Sequence, residues 1–199
     1  MMKKSVSPKR VAVLVSGGGT NLQALLDAQA DGRLKHGSIV LVISNNPHAY
    51  ALTRAEHAGI PHLVLQGPEF ELKLREALSA YQADLIVLAG FMRILSPAFT
   101  AEYDHRILNI HPSLIPAFCG KGFYGLHVHE AVLQRGVKIT GATVHFVNEI
   151  PDGGEIILQK SVAVLPGDTP ETLQRRVMEE AEWVILPQAV EMIAKGDQT

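Results

Sequence analysis

The chain of 199 residues contains one cysteine, Cys119. An intramolecular disulfide framework is therefore excluded, and a lone thiol points to a reducing, cytoplasmic compartment. An excess of either charge is missing as well. Charged residues make up 19% of the chain and the formal net charge is -2, which gives no electrostatic reason to expect nucleic acid or an anionic membrane surface as partner. A small polar ligand fits better. Long apolar runs are also absent. "VAVLVSGGG" follows a basic start, "MMKKSVSPKR", but glycines break it too soon for the core of a signal peptide. No other segment approaches the roughly 20 apolar residues of a membrane span. There is no internal repeat, low-complexity tract or linker. With 47% apolar residues, the length suits a single domain with a well-buried core, taken as 1–199.

What is present is a rhythm. Short β-branched runs at 11–16, 38–45 and 83–90 alternate with amphipathic stretches such as "TNLQALLDAQA" and "PEFELKLREALSAY". Gly59 marks the stop of another, "HAYALTRAEHAG". Strand, helix, strand, helix implies right-handed crossovers and an open, mostly parallel twisted α/β sheet with helices on both faces, Rossmann-like in its N-terminal half. After Pro116 the rhythm changes, through the loop "AFCGKGFYG" and a helix "LHVHEAVLQRG". "ITGATVHFVNE" and "EIILQKSVAVL" then read as an antiparallel addition to the sheet. The last helix is expected to start at Asp168 or Thr169 and run to about Lys195, with Pro187 breaking or kinking it. Ligands of such a sheet bind outside the carboxyl ends of its strands.

Three of those ends carry polar or glycine-rich sequence. "SGGGTNLQ" at 16–23 lets the backbone approach a ligand and opens a helix, as a phosphate requires. It is neither GxxxxGK[ST] nor a full GxGxxG, so it predicts a phosphomonoester, with a side-chain contact from Asn21. "LAGFMRILSP" offers an apolar wall in which Arg93 is the only charge. "LNIHPSLIP" places Asn109 and His111 two apart, hence on one face of a strand. An amide and an imidazole together can hold a developing oxyanion and move a proton. Asp152, in the turn "IPDGG", could reach the histidine from a neighbouring strand end, and its negative charge is expected to favour the imidazolium form of His111. Taken singly, each motif also reads as a tight turn, a core wall or a structural histidine.

Taken in order, "SGGGTNLQ", "LAGFMRILSP", "LNIHPSLIP", "GATVHFVNE" and "DGGEIILQ" resemble the phosphoribosylglycinamide formyltransferase family, from about Val11 to Pro187. The resemblance implies transfer of a formyl group from 10-formyltetrahydrofolate to the glycine amine of 5'-phosphoribosylglycinamide in purine biosynthesis, without a metal. It implies a formyltransferase fold with a nucleotide half at about 10–105 and a catalytic and folate half at about 106–199. It assigns Asn109, His111 and Asp152 to catalysis. Gly18, Gly19, Thr20, Asn21 and Glu182 would meet the ribonucleotide. Met92, Arg93, Ile94 and Leu95, together with Asn109 and the loop Asn148, Glu149, Ile150, Pro151 and Asp152, would line the folate pocket. The partners are then small molecules rather than nucleic acid or membrane, and the enzyme is a monomer or homodimer.

Three departures from the family pattern stand out. "AFCGKGFYG" is longer than the usual connection, one extra residue precedes "AEW", and the basic residue for the folate glutamate tail is open between Lys73 and Arg75. The Asn, His and Asp set is shared with 10-formyltetrahydrofolate hydrolase and with formyltransferases for other amines, which are the alternative activities. A metal-dependent hydrolase would draw on His111, His127, His129 and His145, but His127 and His129 lie two apart on a helix and no HExxH occurs. A phospholigand-binding module would leave Asn109, His111 and Asp152 without joint purpose.

Overall fold

The computed structural model describes residues 7–197; residues 1–6, part of the basic start, and 198–199 lie outside the described residues. The order is β1 (Lys9–Val15), α1 (Thr20–Ala30), β2 (Gly37–Ser44), α2 (Tyr50–His57), β3 (His62–Val64), α3 (Phe70–Ala80), β4 (Leu85–Leu88), α4 (Pro97–Glu102) and β5 (Ile107–His111). There follow α5 (Leu126–Arg135), β6 (Ile139–Phe146), β7 (Ile156–Ala163), α6 (Pro170–Val177) and α7 (Trp183–Lys195). The strands form one seven-stranded sheet in the order β3-β2-β1-β4-β5-β6-β7. The first five are parallel, while β6 runs antiparallel to β5 and β7 antiparallel to β6. The chain winds outward from β1 to β3 and returns to β4 beside β1, so the carboxyl ends of β1 and β4 flank the switch point where open sheets bind ligands.

The alternation of β1 explains the two layers. Val11, Val13 and Val15 face a core with α1, α2, α5, α6 and α7, whereas Ala12 and Leu14 face a second core with Phe70, Leu74 and Leu78 of α3 and Phe99 of α4. All five of these side chains are fully buried. A strand covered on both faces must be apolar at every position, as "VAVLV" is. The expected division near residue 105 does not interrupt the sheet, because β4 pairs with β5 across it, Leu88 opposite Asn109.

The helix ends follow local chemistry. The Ser96 hydroxyl caps α4 by accepting from the Phe99 amide, and the Glu71 carboxylate of α3 accepts from both the amide and the hydroxyl of Ser96. Thr169 and Thr172 cap α6 reciprocally, with Pro170 at its first turn. The expected break at Pro187 is corrected: Pro187 lies inside α7, and the departure falls one turn earlier, where Met178–Glu182 form a π-helical turn. Such a turn takes up one residue more than a regular α-helical turn holds.

Candidate active site

β5 delivers Asn109 and His111 on one face, and its antiparallel partner β6 places His145 opposite Asn109 and Thr143 opposite His111. The four side chains share that face because both strands carry polar residues at period two. The Thr143 hydroxyl donates to the Ser113 carbonyl (2.7 Å) and accepts from the Ile115 amide (3.1 Å), pinning the turn that follows β5. His145 Nδ1 donates to the Phe146 carbonyl at 2.7 Å. With that proton fixed on Nδ1, Nε2 accepts from Asn109 Nδ2 at 3.1 Å, which orients the amide.

Asp152 reaches this face from the loop between β6 and β7. Asn148 folds the loop on itself, its Oδ1 accepting from the Ile150 amide (2.9 Å) and its Nδ2 donating to the Gly153 carbonyl (3.3 Å). Asp152 takes a left-handed backbone, φ 57°, which aspartate tolerates better than most side chains. Its carboxylate then lies between two histidines, Oδ2 at 3.6 Å from His111 Nδ1 and Oδ1 at 3.6 Å from His145 Nε2. Gly154, two residues on, packs so tightly on the Phe146 carbonyl that any Cβ there would collide with backbone.

Burial and charge pull the titrating groups in opposite directions. His111 is 4% exposed, and that burial holds its pKa below the ordinary imidazole value, although the Asp152 charge and the bond to the Phe118 carbonyl oppose it. The Asp152 charge thus favours the imidazolium, as expected, but burial is the larger effect and the net direction is downward. Burial works to raise the pKa of Asp152, but the facing His145 and His111 side chains and the hydrogen bond from the Gly120 amide outweigh it, so its pKa is held below the ordinary carboxylate range.

The long loop at 117–125 closes onto this pair. The Phe118 carbonyl accepts from His111 Nε2 at 2.9 Å, and the Gly120 amide donates to Asp152 Oδ2 at 2.8 Å. Cys119 sits between them with its thiol directed at the Pro116 carbonyl (3.3 Å), and burial followed by the Asp152 charge pushes its pKa up. A protonated thiol with its hydrogen engaged is a poor nucleophile. Of the other histidines, His127 stacks on Tyr124 and His129 is fully buried in α5. Among the described residues, no group of three or more His, Cys, Asp or Glu side chains is arranged to hold a metal ion.

At the switch point, Gly19 adopts φ 71° and starts α1. Asn21, expected to offer its side chain to the phosphate, spends its amide nitrogen within the protein. Its Nδ2 donates to Glu182 Oε2 at 2.6 Å, and both groups are buried, which leaves Asn21 Oδ1 without a hydrogen-bond partner. Burial raises the Glu182 pKa to about 6, with the Asn21 bond opposing. Glu182 is therefore part of the floor of the glycine loop, not an exposed helix carboxylate. Ser16 ties this loop to the next: its hydroxyl donates to Asn45 Oδ1 (2.7 Å) and accepts from the Met92 amide (2.8 Å).

A cleft beside the catalytic face is lined by Leu88, Phe91, Arg93, Ile94, Leu95, Thr100, Asn109, His145, Val147 and the 148–152 loop. Every residue expected in the folate pocket is there except Met92, which is 54% exposed. Lys73 and Arg75 are elsewhere, paired with Glu69 and Glu102. The cation of the cleft is Arg93, stacked over Phe70 with Nη1 donating to the Gly67 carbonyl at 3.2 Å. His145 is the site residue that the sequence reading left among the metal candidates. The polar alternation of "TVHF", matching that of "LNIH", was the signal for it.

A family model described as formyl transferase matches residues 9–190. The trifunctional purine biosynthetic protein adenosine-3 of Bos taurus is 47% identical over 96% of the chain, which spans 19% of that longer protein. The phosphoribosylglycinamide formyltransferase of Haemophilus influenzae is 42% identical over 94% of the chain and 88% of its own length. The crystal structure of glycinamide ribonucleotide transformylase 1 from Symbiobacterium toebii superposes with a TM-score of 0.88 at 45% identity, covering 95% of this chain and 89% of that one. The chain belongs to the formyl transferase family.

Proposed function

We propose that the protein transfers the formyl group of 10-formyltetrahydrofolate to the glycine amine of 5'-phosphoribosylglycinamide, giving formylglycinamide ribonucleotide and tetrahydrofolate. The observation that carries this reading is the convergence of Asn109, His111 and Asp152 on one face, between a glycine loop suited to a phosphate and an apolar cleft suited to a pterin. The relatives named for this reaction match nearly the whole chain.

The amine attacks the formyl carbon, a carbon–nitrogen bond forms, and the carbonyl oxygen becomes negative. Asn109 Nδ2, held by His145, donates to that oxygen. A neutral His111 accepts the proton released by the attacking amine, and Asp152 stabilises the imidazolium that results. The proton passes to the departing folate nitrogen as its bond to carbon breaks, and the formylated amine and tetrahydrofolate leave. Arg93 provides positive charge for the acidic tail of the folate, the role for which Lys73 and Arg75 are misplaced. The co-substrate supplies the one-carbon unit, and the step runs on proton transfers alone. The working compartment in this reading is the cytoplasm. Among the described residues no helix is long and apolar enough to cross a membrane.

The test is to mix the purified protein with 10-formyltetrahydrofolate and follow deformylation with and without glycinamide ribonucleotide, weighing the nucleotide afterwards by mass spectrometry. Consumption that requires the nucleotide, with a mass gain of one formyl group, supports the transferase. Consumption without it identifies a hydrolase, with water in place of the amine.

A further inference from the structure

A loop that binds an anion through its backbone amides must turn its carbonyls elsewhere and satisfy them there. In the glycine loop all four carbonyls are taken. Ser16 O accepts from Asn46 Nδ2 (3.1 Å), Gly17 O from the Ala51 amide (3.1 Å), Gly18 O from Arg54 Nε (2.8 Å), and Gly19 O from the Gln23 amide (2.9 Å). Three of these donors come from the segment after β2. The same segment presses on the loop sterically, since a Cβ on Gly19 would stand 2.6 Å from the Ala51 methyl. A trans peptide points its N–H opposite to its carbonyl. With the Gly17 and Gly18 carbonyls directed at α2, the amides of Gly18 and Gly19 point away from it, and no hydrogen bond within the described residues uses them.

We infer that Arg54 is a positioning residue for the substrate phosphate, acting through the Gly18–Gly19 peptide of the glycine loop. This rests on the phosphate reading proposed above. Arg54 is the one charged donor of the three. Its guanidinium is fixed by a second bond from Nη1 to Gln23 Oε1 (2.9 Å) and by the Tyr50 ring, 5.1 Å away. Gln23 is fixed in turn by donating to Asp27 at 2.8 Å. No carboxylate pairs with Arg54 among the described residues, so its full charge stands behind the peptide. A cation on the Gly18 carbonyl polarises that peptide and makes the Gly19 N–H a stronger donor to an anion on the other side.

The experiment compares Arg54→Ala and Arg54→Lys with the wild type on two acceptors, glycinamide ribonucleotide and the dephosphorylated glycinamide riboside. For Arg54→Ala, KM for the ribonucleotide is expected to rise by about 10- to 100-fold, the range for losing a hydrogen bond to a charged group. kcat, KM for the folate donor and kcat/KM for the riboside should stay within about twofold, so the advantage of the phosphate shrinks. Arg54→Lys keeps the charge but not the fork, and should recover part of the loss. It also serves as the test if the alanine variant does not fold. An unchanged KM in both variants, or an equal loss on the riboside, would overturn the inference. A wild type that formylates both acceptors equally would refute the phosphate reading itself, and one that formylates neither would refute the proposed activity.

Discussion

Asp152 stands 3.6 Å from two buried imidazoles, and its charge opposes the effect of burial on His111. Replacing it with Asn removes that opposition, so the His111 pKa falls further. If His111 must be neutral to accept the amine proton, the acid limb of kcat/KM should move to lower pH in Asp152→Asn, together with a drop in rate. A pH–rate profile checks this, and an undisplaced limb would sink the pairing. Glu182 shows the reverse case. Burial raises its pKa from 4.5 to about 6, so the folded protein binds a proton that the unfolded chain has released between those values. Stability therefore declines as pH rises through that window, by about 2 kcal/mol if this group alone is counted. Urea titrations should find that the stability of Glu182→Gln relative to wild type improves by about that amount from pH 4.5 to pH 7, while its nucleotide affinity falls; a constant difference across that range would contradict the buried-acid assignment. At this scale the pair Asn109 and His111 was legible because period two in a strand is a statement about faces. The role of His145 was not, because it depends on which residue of β6 lies opposite Asn109, and register is a property of two strands.

Helix and strand positions were legible from periodicity, since "VAVLV" is covered on both faces and "TNLQALLDAQA" on one. Two features were not. The π-helical turn has no periodicity signal of its own, and the burial of Glu182 against Asn21 at its end follows from packing. The loop at 117–125 reads as a long connection, and nothing local says that its Phe118 carbonyl and Gly120 amide end on His111 and Asp152. The glycine loop is where element-scale geometry is most exposed to test. Gly19 combines φ 71° with contact against Ala51, so Gly19→Ala must shift either the loop or α2. Isothermal titration is expected to show nucleotide affinity reduced by tenfold or more, with folate affinity spared. Equal affinity would mean that the clamp of α2 on the loop does not shape the phosphate site.

Across the whole molecule, the two halves inferred from sequence share one sheet, and each proposed ligand site draws on both. Asn21 meets Glu182 from the far end of the chain, and the cleft combines Leu88–Thr100 with 145–152. The open parallel sheet and its antiparallel extension were legible because crossover rules leave few arrangements. Contacts between residues more than a hundred positions apart were not, since no local pattern encodes them. In the proposed reading, acceptor loop, catalytic face and donor cleft lie around one switch point, so His111 should govern chemistry without governing binding. The most direct measurement is a single-turnover experiment on His111→Ala with both substrates saturating. The account requires the rate to fall by about a hundredfold to a thousandfold while both dissociation constants stay near wild type. A rate within a few-fold of wild type, or a loss that vanishes at saturation, would contradict it.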